Sequence, residues 1–482
     1  MGIVALLVVA AAATAAGADA RRVTVLVVEG DQPPAVRAGG AVGLYVPGRG
    51  LYVSREEALE ALDIRNLPLG LPCGALQRCP IEVFISVPPL VAERNTRRYE
   101  ITIRGGGYRG LLVSDSTRIP GLVAIEDIAD TVRALDGERD PPIRWREDQN
   151  PRAELAKLDD RLHDARRAQT PATVALALAL IALTGLALLG RSASLARAAL
   201  LFPLLALLLA VAVTAVHLTG PVATTAAALL GVPIAVLCGR RLRDESFALA
   251  AATMIAVYGV VLAVSPETNA LAALGPHPWN GGRFYGITNQ VETFLLGAAL
   301  AAGAAFRDLR TISLGTLCLV IVGSSSLGAD GGGIVVFSVG FAVLWLGLGH
   351  RHPGWLVAAG AVAVAVVALD AALGGSSHVI DAVRDGPGEL LDAFERRLRL
   401  SWSIVTSSVF QAGLFVAGVA ILAWFATLRP RALAVDAFLV AIAVSLLVND
   451  SPTKVVGFGA AICGALRVWS VSRAPNPGIE ST

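Results

Sequence analysis

The chain has 482 residues, 55% of them hydrophobic and only 16% charged, with a formal net charge of +2. Soluble domains carry about 25% charged residues, so this balance lies outside their range, and the near-zero charge leaves no footprint for nucleic acid. Lys157 and Lys454 are the only lysines. With so much Ala and Gly, that arginine bias marks a GC-rich bacterial genome and says nothing of function.

The first stretch, IVALLVVAAAATAAGADA (3–20), is apolar and closes on small residues, with Ala18-Asp19-Ala20 fitting an A-x-A cleavage site. It lacks a basic start, so residues 1–20 are a signal peptide or an N-terminal anchor. Either reading exports the segment beyond it. Residues 21–150 are polar and of domain size.

Within that domain, VTVLVVEG (23–30) and IEVFISV (81–87) have strand patterns. SREEALEAL (54–62) starts a helix with Ser54 in a capping box. CGALQRC places Cys73 and Cys79 in a small loop. In an exported domain this pair is expected as a disulfide, and no nearby His would complete a zinc site. The expected fold here is a small extracytoplasmic α/β domain.

The stretch RRYEITIRGGGYRGLLVSDSTRIPGLVAIEDIADTVRALDG (97–137) gives strands around a glycine turn, then a helix. Its part STRIPGLVAIEDIADTVRAL resembles the closing segment of alkaline-phosphatase-superfamily domains. The resemblance implies their α/β fold but not their activity. Members need a Ser or Thr nucleophile between two metal ions held by Asp and His. No His precedes His163, and the Asp-His-Gly ligand motif is absent. The resemblance therefore implies a degenerate, metal-free domain that serves as a scaffold or docks an envelope-protein partner.

PRAELAKLDDRLHDARRA (151–168) opens a charged amphipathic helix over 151–170, read as a solvated stalk ahead of the alternative, a partner-binding helix. From 171 to 472 the chain is a polytopic transmembrane domain, with a cytoplasmic tail at 473–482. Apolar runs lie near 172–190, 198–217, 221–238, 247–265, 290–306, 311–327, 333–349, 354–373, 403–427, 433–448 and 453–470. The expectation is an α-helical polytopic membrane protein of about eleven transmembrane helices.

Alternate loops carry arginine: Arg191 and Arg197; Arg240, Arg241 and Arg243; Arg307 and Arg310; Arg351; Arg429 and Arg431; then Arg467 and Arg473. The positive-inside rule makes these cytoplasmic and puts the N-terminal domain outside. Four polar stretches then share the outer face: NGGRFYGITNQVE (280–292), SSSLGADGGG (324–333), the 374–402 loop and NDSPTK (449–454).

NQVE reads as a capping box starting a helix at Asn289, with Glu292 reaching back. That leaves Asn280, Arg283 and Tyr285 among glycines, a composition suited to a phosphate or carboxylate ligand. Asp330 before three glycines is either a tight turn or broken-helix backbone lining protein or water. Asp450 or Ser451 caps the last helix, and Lys454 one turn on needs a carboxylate or an anionic ligand. The 374–402 loop, with His378, Arg396, Arg397 and Arg399, reads as an amphipathic helix on the outer leaflet.

The candidate substrate-binding set is thus Asn280, Arg283, Tyr285, Asn289, Glu292, Asp330, Asp450 and Lys454, with no metal site, no cofactor and no catalytic residue identified. No P-loop, Ser-His-Asp spacing or haem motif is present. The layout loosely resembles polytopic envelope-polymer ligases and polymerases. The expected role is a bacterial plasma-membrane transferase or lipid-handling factor, acting with membrane lipid on an anionic or lipid-linked envelope intermediate. The alternatives are a secondary transporter using outer-face carboxylates and a non-catalytic assembly factor.

Overall fold

A computed structural model describes residues 23–29, 40–48, 52–69, 80–137, 139–281, 283–350, 354–372 and 387–473. The expected signal or anchor segment, the Cys73–Cys79 loop, His378 and the residues after 473 lie outside the described residues. The chain divides into two compact units. One runs to Arg166 and also takes in His277–Tyr285; the other holds Arg167–Pro276 and the chain from Gly286 onward.

The first unit is built on a mixed sheet. Its strands are β1 (Val23–Glu29), β2 (Ala41–Tyr45), β4 (Ile81–Val87), β6 (Tyr99–Gly105), β7 (Gly110–Ser114), β8 (Leu122–Val123) and β9 (Ile143–Arg146). They run in the order β1-β4-β6-β2-β7-β9, with β8 beside β2. β1 and β4 are parallel, while β4 with β6 and β6 with β2 are antiparallel. β3 (Tyr52–Val53) and β5 (Glu93–Arg94) form a separate two-stranded ladder. The expected strands at 23–30 and 81–87 are present.

Helix Ile125–Asp136 buries Ile125, Ile128, Ala129 and Val132, a 3.6-residue stripe, in the same core as Val83, Ile101 and Ile103 of the sheet. Helix Arg55–Ala61 starts with the complete capping box at Ser54 and Glu57. Burial pushes the Tyr108 hydroxyl up to about 12. It donates to the Ile143 carbonyl at 2.7 Å, which spares a buried donor the cost of being unpaired.

The stalk departs from its solvated reading. Helix Pro151–Gly190 buries Leu155 and Leu158, both in reach of Gly121, whose φ of +87° keeps it a glycine. Arg98 donates to the Asp159 carbonyl at 2.9 Å. One face of these turns is therefore part of the sheet unit's surface.

The second unit is helical. Pro151–Gly190, Ala193–Ala215, Pro221–Arg241, Asp244–Val264, Val409–Thr427 and Pro452–Val471 are each long and apolar enough to cross a membrane. Leu309–Gly323, Gly331–Gly347 and Leu433–Val448 are shorter apolar helices. Asn289–Phe306 and Gly354–Ala372 complete the apolar helices, and the amphipathic helix Pro387–Thr406 lies between Gly354–Ala372 and Val409–Thr427. This is the architecture of a multi-pass membrane protein.

Close approach here depends on small residues, as expected where lipid supplies no hydrophobic drive between helices. A Cβ on Gly239 would sit 2.2 Å from the Ser194 carbonyl, so two helices touch backbone to backbone. Leu178, Ile181, Leu189, Leu249, Val260 and Val416 point outward, the apolar surface that lipid contact requires.

Candidate functional site

Three segments of the helical unit meet at the helix ends. The first is 286–292. Gly286 has φ +87°, and a Cβ there would lie 2.2 Å from the Gly328 carbonyl. The same carbonyl accepts from the Ile287 N–H at 2.9 Å. Buried Asn269 donates to the Gly286 carbonyl at 3.0 Å and accepts from the Tyr258 hydroxyl at 2.9 Å. These bonds fix where helix Asn289–Phe306 starts.

The second segment is the turn at 324–333. The N–H of Ala329 bonds the Ser324 carbonyl at 2.9 Å, and the N–H of Asp330 bonds the Val322 carbonyl at 3.0 Å. Asp330 is the N-cap of helix Gly331–Gly347, its carboxylate accepting from the Gly333 N–H at 3.2 Å. The connection between helices Leu309–Gly323 and Gly331–Gly347 buries Asp330 within the helical unit.

The third segment is 445–454, and it joins the other two. The Asn449 side-chain amide donates to Glu292 Oε2 at 2.7 Å and to Ser445 Oγ at 2.9 Å. Asn289 Nδ2 donates to Asp450 Oδ1 at 2.8 Å. A Cβ on Gly332 would lie 2.3 Å from Asn449 Oδ1, so the glycine run after Asp330 makes room for this amide. Asn289, Glu292, Asp330 and Asp450 therefore belong to one cluster. Lys454 is exposed on the helix after Asp450, within electrostatic reach of that carboxylate.

Glu292 is 1% exposed. A carboxylate so buried is costly unless it is held by hydrogen bonds, and Asn449 supplies one. Its place in the first turn of its helix adds a favourable dipole. The Asn449 amide positions the carboxylate without contributing charge of its own.

One expected cap differs. The N-cap of helix Asn289–Phe306 is Thr288, whose hydroxyl accepts from the Val291 N–H at 3.3 Å. Asn289 is thereby freed to reach Asp450, and Glu292 turns to Asn449 and not back to a cap. Before the last helix, Ser451, one of the two residues expected there, takes the N-cap position without a side-chain cap bond, and Pro452 occupies the first turn.

The remaining expected residues lie in the sheet unit. Asn280 ends the short turn Pro278–Asn280 and is exposed, and Arg283 is half-buried. Tyr285 lies under the Arg118 guanidinium, 4.1 Å from ring centroid to guanidinium carbon. Gly281, at φ +67°, lets the loop touch the Gly48 carbonyl, which a Cβ would approach to 2.8 Å. The eight candidates thus divide between the two units.

Four members of the helical cluster were outside the candidate set. Asn449 donates to Glu292, and Ser445 accepts from Asn449, as described. Arg397 donates to the Val448 carbonyl at 3.1 Å, and Ser401 to the Asn449 carbonyl at 3.1 Å. Both satisfy carbonyls that the end of helix Leu433–Val448 leaves open. The Pro387–Thr406 helix therefore contacts the cluster, where lipid-surface contact was the favoured expectation and a role in a ligand site the alternative. A further acid, Asp370, accepts from Ser324 Oγ at 3.0 Å, Ser325 N–H at 3.0 Å and Ser325 Oγ at 3.1 Å. The Ser-Ser-Ser run was the legible half of that contact.

No family model, curated protein or solved structure matches the chain at a significant level. Among the described residues, no group of three or more His, Cys, Asp or Glu is placed to hold a metal ion.

Proposed function

We propose that this chain is a bacterial plasma-membrane protein of about eleven spans whose outward-facing helix-end cluster handles the polar head of an anionic or lipid-linked envelope intermediate, as a transferase or lipid-handling factor. The observation that carries the reading is buried Glu292, held by Asn449 at the meeting of three interhelical segments. An ionisable group inside a membrane bundle is costly to keep there and marks a functional site.

Depth favours a head group over a transported ion. Glu292, Asp330, Asp370 and Asp450 all sit at helix ends or in the connecting turns. Among the described residues, the middle turns of the apolar runs contain no Asp, Glu, Lys or Arg. A secondary transporter brings such groups to the midplane, so that second reading draws only on the burial of Glu292. The orientation follows from the arginine loops, with the C-terminus cytoplasmic. The sheet unit is then a metal-free, alkaline-phosphatase-like scaffold, a reading supported by β8 leading directly into helix Ile125–Asp136.

Native mass spectrometry tests the proposal on full-length protein extracted in mild detergent from the cells that make it. Wild type should retain a phosphate-bearing lipid-linked species that Glu292→Gln and Asn449→Ala both lose. Equal retention by wild type and both variants would overturn the assignment of the site.

A further inference from the structure

The sheet unit carries an amphipathic edge that the helix-end cluster does not use. Leu90 is 73% exposed, Val91 79% and Tyr52 58%. Tyr52 pairs with Arg94 across the β3–β5 ladder, and Arg94 and Arg97 are exposed beside it. Large apolar side chains gathered beside arginines are the composition of a surface that meets lipid at the interface.

Contacts inside the sheet unit tie this edge to the segments at which the chain leaves that unit. Asn95, directly after β5, accepts from Arg166 at its carbonyl at 3.0 Å and donates from its amide to the Gly48 carbonyl at 2.6 Å. Gly48 is also the residue against which Gly281 packs. Arg166 and the His277–Tyr285 loop are where the chain leaves the sheet unit for the helical one. Arg166 lies six residues before Ala172, where the apolar run of its helix begins.

We propose that this edge is a second membrane contact: Leu90 and Val91 enter the boundary between head groups and acyl chains, and Arg94 and Arg97 bind the phosphates of anionic phospholipids in the outer leaflet. The proposal rests on the membrane reading above. An anionic leaflet attracts each nearby arginine enough to shift a docking equilibrium about fivefold. The edge would hold the exported domain against the bilayer at a point other than its covalent stalk.

The full chain in lipid nanodiscs tests this, with an environment-sensitive fluorescent amino acid placed at position 90, 60 or 178. Glu60 is exposed on helix Arg55–Ala61, and Leu178 is exposed on the apolar part of helix Pro151–Gly190. With phosphatidylglycerol present, the probe at 90 should be quenched by brominated acyl chains and protected from iodide, while the probe at 60 behaves oppositely. Arg94→Gln and Arg97→Gln should each shift the probe at 90 toward water by about fivefold, as should replacing phosphatidylglycerol by phosphatidylcholine. The proposal is overturned if the probe at 90 is as open to iodide as the probe at 60 while the probe at 178 is quenched by lipid. Quenching at 90 that ignores both arginines and lipid charge would overturn the phosphate contact. A probe at 178 in water would instead remove the membrane reading itself.

Discussion

The two ends of the helical unit hold their acids differently. At the arginine-rich end, Asp244 takes Arg197 at 3.0 Å and Arg473 at 2.9 Å, with the Trp469 indole N–H at 3.3 Å. Nearby, Arg310 bridges Glu245 at 2.7 Å and Asp308 at 3.0 Å. At the other end, Glu292 and Asp450 take side-chain amides, Asp370 takes serines, and Asp330 takes a backbone N–H. An ion pair cancels charge locally and is complete in itself. An amide or hydroxyl fixes a carboxylate in place without contributing charge of its own. The function we propose belongs to the second end.

The largest expected effect comes from the backbone that assembles the second end. Gly286→Ala forces a Cβ onto the Gly328 carbonyl at a positive φ, which no side-chain movement relieves. It should destabilise by more than about 2 kcal/mol and lower the protein's abundance in membranes. Next, Asn449→Ala strips Glu292 of its amide donor. A loss of about 1–3 kcal/mol is expected, with function lost even where the folded protein is restored by lower growth temperature.

Asp244→Asn sharpens the contrast from the other side. It breaks two ion pairs whose side chains are only partly buried. After solvent screening the cost should be about 1 kcal/mol, with function retained and with a dependence on salt that the Asn449 variant lacks. Denaturation in detergent at low and high salt, beside a growth assay, separates the two.

The smallest effect lies in the sheet unit. Burial raises the Glu100 carboxyl above its ordinary value, against the opposing pull of Arg152 and Thr102. The folded state then binds this proton more tightly than the unfolded chain. Stability from this group is present at low pH and falls as pH rises from about 4.3, the unperturbed glutamate value, through the raised folded-state value. Glu100→Gln should remove that decline, as read by hydrogen exchange of the β6 amides in the full chain between pH 4 and pH 7 (about the span in which a raised carboxylate titrates).

Local features were legible in the sequence because local chemistry determines them. Ser54 and Glu57 stand three apart, so their capping box needs nothing beyond that spacing. The strand patterns at β1 and β4 arise in the same way. The helix-end cluster was half legible. The polar stretches stood out against apolar runs, but Glu292 and Asn449 are 157 residues apart, and alanine-rich helices carry little directional code for which ends meet. The NQVE reading failed for a related reason. Thr288 is an equally good cap, and only the presence of Asp450 across the bundle decides that Asn289 bonds outward. Asp370 stands 45 residues from the serine turn that folds onto it, a separation no local pattern bridges.

The central claim is that the Glu292 carboxylate acts and does not merely hold the bundle together. Glu292→Gln tests it directly in cells that depend on this chain, with the protein's abundance in the membrane measured alongside growth. Glutamine keeps the shape and an oxygen for the Asn449 amide, so the protein should accumulate normally, and only the charge is lost. Loss of function at normal abundance is the expected result. Full function at normal abundance would contradict it and return the cluster to a purely structural role.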